Sequence, residues 1–365
     1  MIIGVLLISV ILQVWYYVFI FGKLAWLVDK EDVLFDIEPV SILICVKNEA
    51  ENLKRNLPLI LCQDYSVFEV IVIDDDSTDK TNQILSEIKE SYPALKVVKF
   101  NRSKDSFLGK KEPLSYGIEH AEHEILVFTD ADCKPASRYW LGKMVSNFDK
   151  NTDIVLGFSP FIGTNSFLNK VICFDALYIA IQYLSFSLFG RTYMGVGRNM
   201  AYRKSLWLEV GGFSSSLHLV SGDDDLFINK VSKTDNVRLE INKNAWTISN
   251  APSSLAGWIV QKKRHNTTSL HYTLIDKVLL GGLHLSAFLF YGSIIYLLLA
   301  QEITYPVIGL VLIRFLFQYM IIKKCFMKLG GQNLLLFSPL FEFFGFIING
   351  FATASNLFLR HNKWK

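Results

Sequence analysis

The sequence predicts an α/β domain with a mainly parallel sheet covered by helices on both faces, flanked by apolar membrane helices at both ends. Three observations predict it. Short β-rich runs alternate with helical patterns from Pro39 to about Leu270. Long apolar stretches open the chain and recur after Val278. Two of the buried runs end directly in carboxylates, as strands do where ligands bind outside their carboxyl ends.

The composition fits this division. Of 365 residues, 51% are hydrophobic and the mean hydropathy is +0.30, both high for a wholly water-exposed chain. The net charge of +3 carries no strong polyanion-binding signal, so nucleic acid is not expected as a partner. The five cysteines, Cys45, Cys62, Cys133, Cys173 and Cys325, are odd in number and form no CxxC pair. That argues against a disulfide framework and a zinc site, and suits a reduced, cytosol-facing domain.

Residues Met1 to Phe21 are apolar except for Gln13, long enough to cross a hydrocarbon core as a helix. A cleaved signal peptide would need a basic leading segment and a small-residue cleavage site. No Lys or Arg precedes Lys23, and Trp15, Tyr16 and Tyr17 are bulky, so residues 1–24 read as an uncleaved anchor. Residues 38–270 read as the catalytic domain. Its strands are Val40–Val46, Glu69–Ile73, Lys96–Phe100, Glu124–Thr129 and Ile154–Phe158. Its helices are Glu49–Cys62, Lys80–Ser91 and Pro113–Ala121. Residues Asn165 to Phe189 are apolar but interrupted by Asn169, Lys170, Asp175 and Gln182. They read as a buried or interfacial helix, because a span there would split the acidic motifs across a membrane.

Residues 274–356 form a C-terminal membrane region of two or three helices, with Val278–Ala300, Ile303–Ile322 and Leu334–Ala354 as its apolar runs. Lys323, Lys324 and Lys328 place the loop between the last two in the cytoplasm, and Lys23 and Lys30 place the catalytic domain there too. A third full span would leave Arg360, Lys363 and Lys365 outside, so Leu334–Ala354, which contains Glu342, reads equally as re-entrant or interfacial.

Four motifs carry chemistry. In Val70–Asp79 a buried strand runs into Asp74, Asp75 and Asp76. One Asp would serve as a helix cap, but three adjacent carboxylates call for a polar ligand such as a ribose or base. In Glu124–Asp132 a strand ends in Asp130 and Asp132. At i, i+2 of an extended segment both point to one side and offer hard oxygens to Mg²⁺ or Mn²⁺ and thus to a diphosphate. Ser221–Phe227 holds Asp223, Asp224 and Asp225, either an acidic helix start or a general base for an acceptor hydroxyl. Trp258–His265 is basic. Gln261 and Arg264 share a helical face, suited to a departing nucleoside diphosphate, although basic residues before a membrane segment also anchor at interfaces.

In this order the four motifs resemble the family 2 glycosyltransferases of GT-A (Rossmann-like) fold, over about residues 38–270. The nearest likeness is to membrane-embedded cellulose, chitin and hyaluronan synthases and their smaller bacterial relatives. The resemblance implies that Glu49, in an Asn-Glu pair, and Asp75 contact the nucleoside. Lys110, in Gly109-Lys110 followed by Leu114 and Gly117, holds the donor, and Asp130 and Asp132 bind the metal. Gly195–Ala201 becomes the acceptor-side loop. Asp224, with Asp223 as the rival, becomes the base, and Gln261 and Arg264 serve the leaving group. His265 stands where the family carries Trp beside an acceptor sugar, which weakens the expectation of a long polymer.

The expectation is a metal-dependent inverting transfer from a nucleotide-sugar, UDP-linked by preference, to a lipid-linked or saccharide acceptor at the cytoplasmic face of a bacterial inner membrane. Processive polysaccharide synthesis is the alternative. A non-catalytic nucleotide-sugar or lipid binder, and a metal-dependent phosphohydrolase or nucleotidyltransferase, are the readings from other classes.

Overall fold

The structure, a computed structural model, describes residues 1–28, 38–104 and 106–358. Lys30, Arg360, Lys363 and Lys365, which enter the topology argument, lie outside the described residues.

The sheet strands are β1 (Val40–Val46), β2 (Phe68–Asp75), β3 (Leu95–Phe100), β4 (Ile125–Phe128), β6 (Ile154–Gly157), β7 (Met200–Arg203) and β8 (Val237–Glu240). The pair β5 (Lys134–Pro135) and β9 (Thr247–Ile248) forms a small second sheet. The main sheet runs β3-β2-β1-β4-β7-β6-β8. All pairings are parallel except those of β7, which is antiparallel to β4 and β6. The near-continuous Val/Ile runs of β1 and β2 follow from burial on both faces.

Helices α3 (Ala50–Leu61), α4 (Thr81–Ser91) and α6 (Trp140–Val145) supply one face of the core, through Leu53, Leu57, Trp140 and Met144. The other face takes Leu114 and Ile118 from α5 (Lys111–Glu119) and Phe227 and Ile228 from α9 (Asp225–Val231). Gly117 permits the close approach of α5 to the sheet. A Cβ there would lie 2.4 Å from the Ile73 side chain. The short α8 (Lys204–Glu209) follows β7, and α10 (Leu255–Asn266) carries the basic motif.

Five helices are long and apolar enough to cross a membrane. The first runs from Ile2 to Ala25: α1 (Ile2–Trp15), a π-helical stretch (Tyr16–Phe21) and α2 (Gly22–Ala25). The others are α7 (Phe167–Leu188), α11 (Leu274–Leu299), α12 (Tyr305–Leu329) and α13 (Ser338–Phe358). They are not equivalent. α1 packs along α11 and α12, whereas α13 packs on α10 and α7. α7 is 72% buried over its apolar window, against 22–33% for the others. Its apolar surface is spent on protein, as the interruptions by Asp175 and Gln182 foretold.

The basic end of α12 abuts the α/β domain. Gly330, in the left-handed region at its C-cap, packs on Trp246, and Lys324 lies 5.6 Å from the Trp26 ring centre. In the apolar layer Arg314 is fully buried. It donates to both Glu342 oxygens at 2.7 and 2.8 Å, and to Gln13 and Gln318. Tyr17 and Tyr291 donate to Glu342 as well, at 3.1 and 2.9 Å. Glu342 thus answers to a buried cation, and its presence in an apolar run has a structural reason.

Candidate active site

A cavity of about 1290 Å³ opens where β1 and β4 end and extends to α7, α10, α11 and α13. Glu49, Lys110, Asp130, Asp132, Asp223, Asp224, Gln261, Arg264 and His265 all line it, so the sequence-predicted residues converge with one exception. Asp75 is not among the lining residues. Its carboxylate is fully buried and gripped by Arg102, through Nε at 2.7 Å and Nη2 at 2.8 Å, with the cavity-lining Lys47 at 3.8 Å. Neither Arg102 nor Lys47 was singled out from sequence.

The three acidic turns are built differently. At the end of β2, Asp74 accepts from the Ser77 N–H, and Asn48 accepts from the Thr78 and Asp79 N–H groups. These bonds fasten the Asn48-Glu49 loop to the β2 loop. After β4 the chain leaves the extended conformation at Phe128 and closes a turn, with Cys133 N–H on the Asp130 carbonyl at 3.0 Å. The extended-strand argument for Asp130 and Asp132 therefore fails, although both carboxylates do face the same cavity.

The electrostatics are those of a mixed-charge cleft. Lys110 Nζ donates to Asp130 at 2.6 Å and lies 3.9 Å from Asp223. Burial works against the Lys110 charge, but Asp130 and Asp223 outweigh it and raise its pKa. Burial also opposes ionisation of Asp130, yet Lys110 holds its carboxyl below the usual range. Asp132 is raised, by burial and by the charge of Asp130. Burial raises Asp223 too, with Lys110 offsetting only part.

In the Asp223–Asp225 triplet each carboxylate has a distinct position. Asp225 is buried and accepts from the Thr268 and Tyr272 hydroxyls, tying α9 to the segment after α10. Burial and then Asp224 push it up to about 7. Asp224 caps α9, with Oδ1 accepting the Asp225 N–H at 2.8 Å and Oδ2 the Gly197 N–H at 3.0 Å. Asp223 has the cavity on one side and Lys110 on the other. The loop before them is stapled by Lys111, which is 2% exposed and donates to the carbonyls of Ser216, Leu219 and Ser221. Gly109, at φ +108°, passes so close that a Cβ would lie 2.3 Å from the Val220 carbonyl oxygen. Sequence reasoning missed Lys111, which looked like one more basic residue beside Lys110.

On α10, Gln261, Lys262, Arg264 and His265 all line the cavity. Lys262 pairs with Asp175 of α7, and Asn266 donates to Thr353 of α13 at 3.0 Å. His265 opens onto the cavity, but its surroundings and the cations Arg264, Lys262 and Arg198 lower its pKa to about 3 and keep the ring neutral.

The chemistry of the donor set fits a divalent cation. Asp130 and Asp132 supply hard oxygens, and the mutual repulsion that raises Asp132 is what a cation relieves. Among the described residues, Glu69, Glu122 and His123 also bring ligand atoms together. That cluster is at the other end of the strands, and Lys96 already pairs both glutamates.

Comparison with known proteins agrees with this geometry. Residues 41–211 match the Glycosyl transferase family 2 model. Glycosyltransferase AglE of Haloferax volcanii is 30% identical over 51% of this chain and 58% of its own. Poly-beta-1,6-N-acetyl-D-glucosamine synthase of Staphylococcus epidermidis is 30% identical over 37% of this chain and 32% of its own. The chain thus spans less than two thirds of the length of these curated relatives. The mannosyltransferase PcManGT of Pyrobaculum calidifontis, solved with GDP-Man and Mn²⁺, superposes over 99% of both chains with a TM-score of 0.66 and 21% identity. That likeness concerns the fold, which is of the GT-A type, with candidate membrane helices at both ends.

Proposed function

Starting from a chain that carries a family 2 glycosyltransferase domain, we propose that it transfers one sugar from a nucleotide-sugar to a lipid-linked acceptor at the cytoplasmic face of a membrane. The observation that carries this is the continuity of the cavity. One space is lined by Asp130, Asp132 and Asp223 at one end and by α11 and α13 at the other. At about 1290 Å³ it exceeds the roughly 300–1,000 Å³ of ordinary ligand pockets. It has room for a donor and for the end of an apolar acceptor. The family's alternative, processive synthesis, has less support here, because His265 replaces the aromatic platform.

Asp130 and Asp132 would hold Mg²⁺ or Mn²⁺, which supplies charge neutralisation of the diphosphate. Lys110 and Arg264 line the same space and offer cationic donors to the departing diphosphate oxygens. We assign the base to Asp223 rather than Asp224. Both oxygens of Asp224 are already committed to backbone N–H groups, whereas Asp223 is raised by burial towards the range of an effective base. Asp223 takes the acceptor hydroxyl proton. The hydroxyl oxygen attacks the anomeric carbon as its bond to the diphosphate breaks, inverting that centre.

The basic last turns of α12 abut the α/β domain, which supports a cytoplasmic catalytic face under the positive-inside rule. α1, α11 and α12 are the proposed spans, with α7 and α13 interfacial. The test is a panel of UDP- and GDP-sugars with the full chain in lipid, scored for metal-dependent nucleoside diphosphate release. No release with any donor, with or without a lipid extract, refutes the reading.

A further inference from the structure

The cavity continues past the catalytic groups, and its far wall is polar: Gln13, Tyr17, Tyr291 and Glu342 line it. Gln13 is 2% exposed, and its Oε1 accepts from Arg314 Nε at 2.6 Å. That bond fixes the amide orientation. A guanidinium only donates, so the Gln13 carbonyl must face it and the amide nitrogen must turn away. Among the described residues this Nε2 has no hydrogen-bond partner. Around it, by contrast, Arg314 donates to Glu342, Gln318 and Gln13, and Glu342 accepts from Tyr17, Tyr291 and Gln318. Gln13 lies ~18 Å along the first helix from Ala25, at 1.5 Å per residue, well inside the apolar layer. An unmatched N–H donor is disfavoured there unless a ligand completes it.

We infer that this end of the cavity is a second subsite, which binds the ester carbonyl of an acylglycerol acceptor through Gln13 Nε2. The inference rests on the glycosyl-transfer reading and specifies its acceptor. Arg314 and Glu342 balance each other, so the wall offers no net charge and suits a neutral hydrogen-bond acceptor rather than a phosphate. Leu280, Leu283 and Ala287 of α11, Ile179 of α7 and Phe346 of α13 line the approach and suit a hydrocarbon chain. The unpaired group is a donor, so a carbonyl oxygen completes it and an all-hydrocarbon tail does not.

The experiment uses the full chain in detergent micelles. The shift in melting midpoint is titrated with 1,2-dioleoylglycerol and with its diether analogue, which lacks carbonyls. The wild type should bind the diester about fivefold more tightly, the change that a hydrogen bond of about 1 kcal/mol gives at 25 °C. Gln13→Glu keeps an acceptor for Arg314 but has no N–H, and it should make the two lipids equal. Gln13→Met should do the same without adding charge. Equal wild-type affinities overturn the inference, as does a diester preference that survives in both variants. If both variants melt far below the wild type without lipid, the wild-type comparison decides alone. Nucleotide-sugar turnover is scored in parallel. A diester preference without transfer keeps the subsite and removes the glycosyl-transfer reading. Transfer without the preference removes the subsite alone.

Discussion

Replacing Asp223 and Asp224 separately by Asn distinguishes the base from the residue that holds its loop. Asp223→Asn preserves shape and removes only the ability to take a proton. Loss of a positioned general base costs about 10²- to 10⁴-fold in kcat, ~3–5 kcal/mol of barrier. Lys110 keeps Asp130 at 2.6 Å after the change, so folding should be little affected. Asp224→Asn acts differently. One of its oxygens becomes an NH₂ facing a backbone N–H of either Gly197 or Asp225, leaving that donor unmatched at about 1–3 kcal/mol. The melting midpoint should fall, and turnover should fall only as far as the Gly197 loop shifts. The assay is nucleoside diphosphate release with donor at saturation, beside donor binding and thermal melting. The wild-type pH profile adds a check: burial raises Asp223, so the acid limb should lie above the 3.8 of an ordinary aspartate and vanish in Asp223→Asn. Near-wild-type turnover in Asp223→Asn, with turnover abolished in a well-folded Asp224→Asn, would refute the reasoning.

Three further outcomes follow from buried charges. Asp225 has an ordinary value of 3.8 and a folded value of about 7, so the folded state holds the proton more tightly. Its contribution is full below about 4 and is lost as pH climbs towards 7. Melting curves across that window should fall more steeply for the wild type than for Asp225→Asn. Arg102→Gln leaves the Asp75 carboxylate buried without its guanidinium, which should cost about 3–5 kcal/mol by denaturant unfolding and weaken donor binding. Arg314→Leu or Glu342→Leu alone should destabilise the chain in detergent by a similar amount. The double variant should recover most of the loss, because the lone buried charge rather than the missing pair is the penalty.

Much of the site was legible because its signals are local. A Val/Ile run ending in Asp declares both a buried strand and the site at its carboxyl end, and this held for β2 and β4. The i, i+3 spacing of Gln261 and Arg264 placed both on the cavity side of α10. What sequence hid depends on partners far along the chain. Lys111 is read only with the carbonyls of Ser216, Leu219 and Ser221, and the three adjacent aspartates separate only once Gly197, Thr268 and Tyr272 are in place. Asp75 looked open to a nucleoside because nothing nearby in sequence announces Arg102. Asp130 and Asp132 were found for a reason the structure does not support, since a turn rather than an extended strand presents them.

The seating of α10 bears on where this chain can be cut. Composition places a boundary near residue 270, yet the segment beyond it is structural to the cleft. Tyr272 holds Asp225, Thr353 holds Asn266, and α11 and α13 form one wall of the reaction space. A water-soluble fragment ending at that boundary would keep every acidic motif and the whole sheet. It would still lose the surface on which the arginine-bearing helix rests. Trimming apolar helices to ease purification would therefore yield a well-folded nucleotide-binding sheet with a collapsed acceptor side.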